Sequence, residues 1–344
     1  MTNRGGFTHA EIYSQPEVWT AALDVLKAQR ADIAQVWQRG QYDHVIFTGC
    51  GSTYFLSLTA ASLLQELSGH TARALPASEL WLSPASSYAR EGKTLLVAVS
   101  RSGSTTETVR ACETFNRDSR GDLFTLSCYP DQPLAQLGTL NIVLPSGQED
   151  SVVQTRAFST LYLGTVALAA LWTGNTALFD ELASLPAAGR CLLDNYSELA
   201  HAIGANLGFD RFYFLGSGLR YGLACEYALK MKEMSLTHSE PFHFMEFRHG
   251  PMSMVTESTV IVGLVSEANR DQEVKVLDEM RERGARIVSI GERDVEVEFR
   301  SDLSEAARGV LYLPFAQLIG YERSLAKGLN PDQPHNLTAV VKLA

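Results

Sequence analysis

Leu95-Leu-Val-Ala-Val-Ser-Arg-Ser-Gly-Ser-Thr-Thr-Glu-Thr108 opens with five apolar residues and then turns abruptly polar. The apolar run predicts a strand buried on both faces, because a half-exposed strand alternates. The polar part predicts a helix from Thr105 to Asn116. Ser104 and Glu107 stand at the spacing of a capping box that would fix its start. A buried strand running straight into a helix is half of a parallel βαβ unit.

The same unit recurs along the chain. Val45-Ile-Phe-Thr-Gly49 predicts a strand, followed by a helix from Thr53 to Leu67. Leu123 to Ser127 and Ile142 to Leu144 predict further strands. Helices are expected over Glu17 to Arg39, Thr155 to Trp172 and Ala187 to Leu207. The order then restarts. Phe212-Tyr-Phe-Leu-Gly216 mirrors Val45 to Gly49, Val260 to Ser266 mirrors Leu95 to Ser100, and Arg286 to Gly291 mirrors Leu123 to Ser127. One large α/β domain with coincidental alternation is the other reading. Two copies of one doubly wound α/β domain fit better, with parallel sheets covered by helices on both faces. The expected division is 1–180 and 181–344, joined near residues 174 to 190.

Composition bounds the function. The 344 residues are 45% hydrophobic, enough for a core in each copy. A formal net charge of -10 speaks against nucleic acid and anionic membrane as general partners. A small anion is not excluded, since backbone amides hold phosphate without net positive charge. Cys50, Cys112, Cys128, Cys191 and Cys225 form no Cys-x-x-Cys pair, a reduced-cytosol pattern. No signal-peptide core follows Met1. Leu161 to Trp172 is too short to span a bilayer. A cytoplasmic, soluble protein is expected.

Ligands of open α/β sheets bind at the carboxyl ends of strands. There the hydroxyls of Ser100, Ser102, Ser104 and Thr105, with free amides at the helix start, offer a phosphate cradle, and Gly103 lets the backbone approach. The same residues also suit an ordinary capped turn. Neither a Walker loop nor a dinucleotide fingerprint is present. In Gly49-Cys-Gly-Ser-Thr53, Ser52 and Thr53 can cap a helix or touch a sugar. In the second copy, Glu267 and Asp271 stand where the cradle would be and would repel phosphate.

Ala228 to Met252 supplies groups that move protons. Lys230 and Glu233 are three apart on a predicted helix and share a face. An irregular polar segment is expected after them, with His238, Glu240, His243, Glu246 and His249. A solvated helix face followed by a polar loop is the bland alternative. The histidine spacing matches no known metal site, and no metal or other cofactor is expected.

Taken together, Gly49-Cys-Gly-Ser-Thr53, Ser100-Arg-Ser-Gly-Ser-Thr105, Thr155-x-Ala-Phe158, Ala228-Leu-Lys-x-Lys-Glu233, Arg248-His-Gly-Pro251 and Asp332-Gln-Pro334 resemble the double sugar isomerase (SIS) domain family. The resemblance is to the isomerase half of glucosamine-6-phosphate synthases and to SIS-type glucosamine-6-phosphate deaminases. It implies a hexose 6-phosphate substrate, with phosphate on Ser100, Ser102 and Thr105, and Arg101 standing where the synthases have glutamine. Ser52, Thr53 and the segment at Val152 would contact the sugar. Glu233 would carry the proton between C1 and C2, Lys230 would support the developing charge, and His249 would open the ring. The resemblance implies a homodimer with His249 supplied across the interface. Two departures shape the expected reaction. The sequence has Thr2 and no N-terminal cysteine or glutaminase domain, and Ala339 stands where the synthases have a tail lysine, with Lys342 three residues on. The expectation is an amino-sugar phosphate deaminase, a hydrolase giving fructose 6-phosphate and ammonia. An aldose–ketose isomerase, a fructosamine 6-phosphate deglycase and a non-catalytic sugar-phosphate-binding regulator are the alternatives. The tail after Asn330 either closes over a site or packs as an edge segment.

Overall fold

The structure, a computed structural model, describes residues 4–343; Thr2 lies outside them. Five strands form a first parallel sheet: β1 (His44–Gly49), β2 (Ala72–Pro76), β3 (Thr94–Ser100), β4 (Gly121–Ser127) and β5 (Leu140–Val143). A second parallel sheet holds β6 (Arg211–Leu215), β7 (His238–Phe242), β8 (Thr259–Leu264), β9 (Arg286–Gly291) and β10 (Val297–Glu298). The orders are β2-β1-β3-β4-β5 and β10-β9-β8-β6-β7. Read from β7, the second is the first repeated, as the mirrored sequence segments require. Every residue of β3 and of β8, the middle strands, is buried.

The two sheets belong to separate compact units. Residues 17–149, 156–183 and 338–343 group around the first sheet, and residues 4–16, 150–155 and 184–337 around the second. In the first, Ile46, Leu96, Ala98 and Leu123 pack with Ala111, Cys112 and Phe115 of helix Thr106–Arg117. In the second, Tyr213, Leu215 and Ile261 pack with Val276, Leu277 and Met280 of helix Arg270–Glu282. Helix Arg156–Trp172 is buried along nearly its whole length, which explains an apolar run that is not amphipathic. No helix among the described residues is long and apolar enough to cross a membrane.

The strands end in matched turns. A side chain at Gly49 would press on the Thr53 backbone at 2.7 Å, and one at Gly216 on the Arg220 carbonyl at 2.4 Å. Both glycines let the following helix start directly against its strand. Two local expectations change, and one helix is added. Glu17 to Arg39 is two helices, Gln15–Ala28 and Arg30–Gly40. His238–Phe242 is not irregular but is β7, paired along its length with β6. Its backbone bonds and the buried Ser239, which donates to the Ala228 carbonyl at 2.8 Å, hold it, so an edge strand forms without an apolar pattern. Helix Tyr312–Ala326, which the alternation does not assign, packs on helices Leu185–Gly204 and Arg220–Ser235.

Candidate active site

In the first unit, the loops after β1 and β3 lie side by side, because the two strands are neighbours. This is the topological switch point of the sheet, where the connections diverge. The predicted capping box does not form. The helix begins at Thr106, Thr105 flanks it without a side-chain cap, and the Ser104 amide instead donates to the Ser102 hydroxyl at 3.3 Å. Gly103 has φ +67, and its amide donates to the Ser100 hydroxyl at 3.1 Å. The Ser102 and Thr105 hydroxyls face each other at 3.4 Å. The turn is compact and lined with hydroxyls.

Two neighbouring groups are already engaged. The buried Arg101 guanidinium pairs with the buried Glu149 carboxylate at 3.2 Å and donates to the Ala339 carbonyl at 2.8 Å. The tail thus lies on the loop: the Thr106 amide donates to the Val341 carbonyl at 3.4 Å, and the Leu343 amide to the Thr106 hydroxyl at 3.1 Å. Thr53 turns its hydroxyl back, accepting from the Cys50 amide at 2.9 Å and donating to the Cys50 carbonyl at 3.0 Å. Ser52 is buried in the first turn of its helix. Burial pushes the Cys50 thiol up, the opposite of an activated nucleophile. Among the five cysteines only Cys191 is exposed, so a thiol reagent on the native protein should modify Cys191 first. Peptide mapping that finds Cys50 labelled first would contradict this.

In the second unit, helix Arg220–Ser235 carries Glu226, Lys230 and Glu233 on successive turns. Lys230 is 1% exposed. Its ammonium is 2.5 Å from Glu233 and 3.4 Å from Glu226, whose residue is 0% exposed. Only the Glu233 end of this triad reaches the surface, at 21% side-chain exposure. The sequence shows Glu226 as Glu-x-x-x-Lys, one turn before Lys230, a signal the Lys-x-x-Glu reading passes over. Glu233 borders a narrow crevice of about 10 Å³ with Met234, Leu236, Leu329, Asn330, Gln333, Pro334 and His335. No local spacing in the sequence points to His335 at this place.

His249 is not among the residues lining this crevice; it sits exposed at the turn before Gly250. His243 stacks on Tyr221 at 3.9 Å, and partial desolvation lowers its pKa although the residue is exposed. Val152 is half-buried, and its amide donates to the Asp332 carbonyl at 3.0 Å. At the switch point of the second sheet, carboxylates fill the place of the cradle. The Ser266 amide donates to the buried Glu273 at 2.6 Å, Arg220 pairs with Glu305 at 2.9 Å, and Arg308 pairs with Glu267 at 2.5 Å. Desolvation raises the Glu273 pKa. Among the described residues no three His, Cys, Asp or Glu side chains converge as a metal-binding set.

The site residues therefore fall into two groups: Ser52, Thr53 and Ser100 to Thr105 in the first unit, and Val152, Lys230, Glu233 and His249 in the second. The SIS domain model matches residues 41–173 and 209–302, one segment over each sheet and more than half of the chain together. The chain belongs to the SIS domain family. Its SIS relatives include the glutamine–fructose-6-phosphate aminotransferases (isomerizing) of Methanothermobacter thermautotrophicus, 26% identical over 99% of this chain and 58% of theirs, and of Sulfolobus acidocaldarius, 30% identical over 98% and 57%. The chain thus spans less than three-fifths of the length of these relatives. A solved glucosamine-6-phosphate deaminase from Thermotoga maritima is similar over 94% of this chain and 100% of its own, at 27% identity and a TM-score of 0.78. The tagatose-6-phosphate ketose/aldose isomerase of Escherichia coli shares the fold at a TM-score of 0.86 and 23% identity, over 97% of this chain and 96% of its own. These SIS relatives and neighbours are phosphosugar isomerases, aminotransferases and deaminases.

Proposed function

We propose that this chain is an amino-sugar phosphate deaminase that converts glucosamine 6-phosphate and water to fructose 6-phosphate and ammonia. The observation that carries the reading is the Lys230–Glu233 pair. A carboxylate bordering a crevice is held by an ammonium that is itself buried and backed by Glu226. A carboxylate so paired can accept a carbon-bound proton and return it one carbon away, which supports the reading.

The chemistry balances with the residues present. Ring opening, assigned to His249, exposes the C1 aldehyde. Glu233 takes the proton from C2, giving an enolamine, and returns it to C1, while the C1 oxygen gains the proton that the nitrogen gives up, leaving a C1 hydroxyl and an imine at C2. Lys230 offsets negative charge developing on oxygen. Water adds to C2, ammonia leaves, and the C2 ketone remains. The phosphate would sit on the Ser100, Ser102 and Thr105 hydroxyls and the amides of that turn, with Ser52, Thr53 and Val152 toward the sugar. Ala339, at the position of the synthase lysine, supports water rather than a tail amine as the partner of C2. The proposal extends to a cytoplasmic homodimer in which the partner subunit supplies His249.

One panel assay tests this reading. Ammonia release and ketose formation are followed over glucosamine 6-phosphate, fructosamine 6-phosphates, aldose 6-phosphates and unphosphorylated glucosamine. Ammonia and fructose 6-phosphate from glucosamine 6-phosphate alone are expected. Glucosamine 6-phosphate made from fructose 6-phosphate and glutamine, with no ammonia release, would overturn it. Equal affinity for glucosamine and its 6-phosphate would overturn the phosphate assignment.

A further inference from the structure

We propose that Glu11 is a positioning residue for the Glu233 crevice, acting through the backbone of residues 150–152 and the tail turn at Asp332. The inference deepens the deaminase reading and rests on it. Helix Gly6–Tyr13 belongs to the same unit as Glu233. Glu11 is 2% exposed and points at a loop about 140 residues away in sequence. One of its oxygens accepts from the Asp150 amide at 2.7 Å and the Ser151 amide at 3.0 Å, and the other accepts from the Ser151 hydroxyl. Three donors converge on one acceptor-only group, which is what a buried carboxylate needs to remain charged.

The relay continues from there. The Val152 amide donates to the Asp332 carbonyl at 3.0 Å. The Asp332 carboxylate accepts from the Thr8 amide at 2.8 Å, the Thr8 hydroxyl at 2.7 Å and the Phe7 amide at 3.3 Å, at the start of the helix that carries Glu11. The Gly5 amide holds the Asn330 side chain at 3.0 Å. Asn330, Gln333, Pro334 and His335, on either side of Asp332, are walls of the crevice beside Glu233. The helix thus grips both ends of the relay, Glu11 on one loop and Thr8 on the other. A carboxylate shuttle depends on where its walls stand, and a small misplacement of a reacting group costs large factors in rate.

Glutamine at position 11 keeps the shape but turns an NH2 group toward the converging donors. In the full-length Glu11→Gln protein, amide exchange at Asp150, Ser151 and Val152 should speed up by about tenfold or more, and kcat on glucosamine 6-phosphate should fall by about tenfold or more. The affinity for inorganic phosphate, a probe of the separate loop Ser100 to Thr105, should stay within about twofold of wild type. Unchanged exchange overturns the clamp. Faster exchange with unchanged kcat leaves a brace and overturns the positioning role, as does an equal loss of phosphate affinity. Should Glu11→Gln fail to fold, Thr8→Val removes a single bond of the relay. It should raise exchange at Val152 and lower kcat, and no change in either overturns the proposal. Wild-type protein inactive on every sugar phosphate of the panel instead overturns the deaminase reading, and the positioning role with it.

Discussion

Glu233→Gln should abolish exchange of solvent deuterium into C1 and C2 of the bound sugar while leaving sugar-phosphate affinity nearly unchanged. Glutamine is the same size, and its carbonyl oxygen can still accept from Lys230, now 2.5 Å from the carboxylate. What disappears is the base. General acid–base groups contribute about 10²–10⁴-fold to rate, so the turnover of the variant should fall by at least the lower figure. Glu233→Asp, which keeps the base but withdraws it by one methylene, should fall between the two. Mass spectrometry of recovered substrate reads the exchange directly. Exchange at the wild-type rate in Glu233→Gln would remove Glu233 from the mechanism.

Lys230→Met should have the largest effect on stability. The ammonium is buried between two carboxylates, one of them on the fully buried Glu226. Methionine fills a similar volume but leaves Glu226 inside the protein with its cation gone. Removing one member of a buried ion pair costs about 3–5 kcal/mol, because the remaining charge is uncompensated. The second replacement Glu226→Gln should recover much of that loss, since it removes the stranded charge. Chemical denaturation of the two variants side by side checks this. A double variant as unstable as Lys230→Met alone would show that packing, and not charge, sets the cost. Activity should be lost in both variants, because neither supplies a cation beside Glu233.

Most of the strands that could be read from sequence lie inside their sheets, and the edge strand β5 was legible as well, from Ile142 to Leu144. β1, β3, β6 and β8 lie inside their sheets and read as unbroken apolar runs. β2 and β7 are edge strands, paired on one side, mostly half-buried and each containing a proline. Ala-Arg-Ala-Leu-Pro and His-Ser-Glu-Pro-Phe carry no period that separates them from loops. The loop Ser100 to Thr105 and the pair Lys230 and Glu233 were legible because local spacing places them. The capping box expected from Ser104 and Glu107 does not form, since Thr105 rather than Ser104 flanks the helix and makes no side-chain cap. Glu11, Asp332 and the tail contacts of Arg101 were not legible as partners. Their bonds join residues 139 to 325 positions apart, and no local pattern encodes a pairing across that distance.

The exchange of chain ends between the units bears on how the protein comes off the ribosome. Strands β1 to β5 are synthesised first and can pair early, yet Arg101 and Thr106 acquire their tail carbonyls only when residues 339 and 341 have been made. Conversely, residues 4–16 precede the first sheet and wait for Asp150, Ser151 and Asp332 before Glu11 and Thr8 can form these bonds. Neither half is finished when its sheet is finished. A cut near residue 183 would therefore yield two fragments that each carry a piece belonging to the other, and residues 338–343 complete the unit whose sheet is translated first.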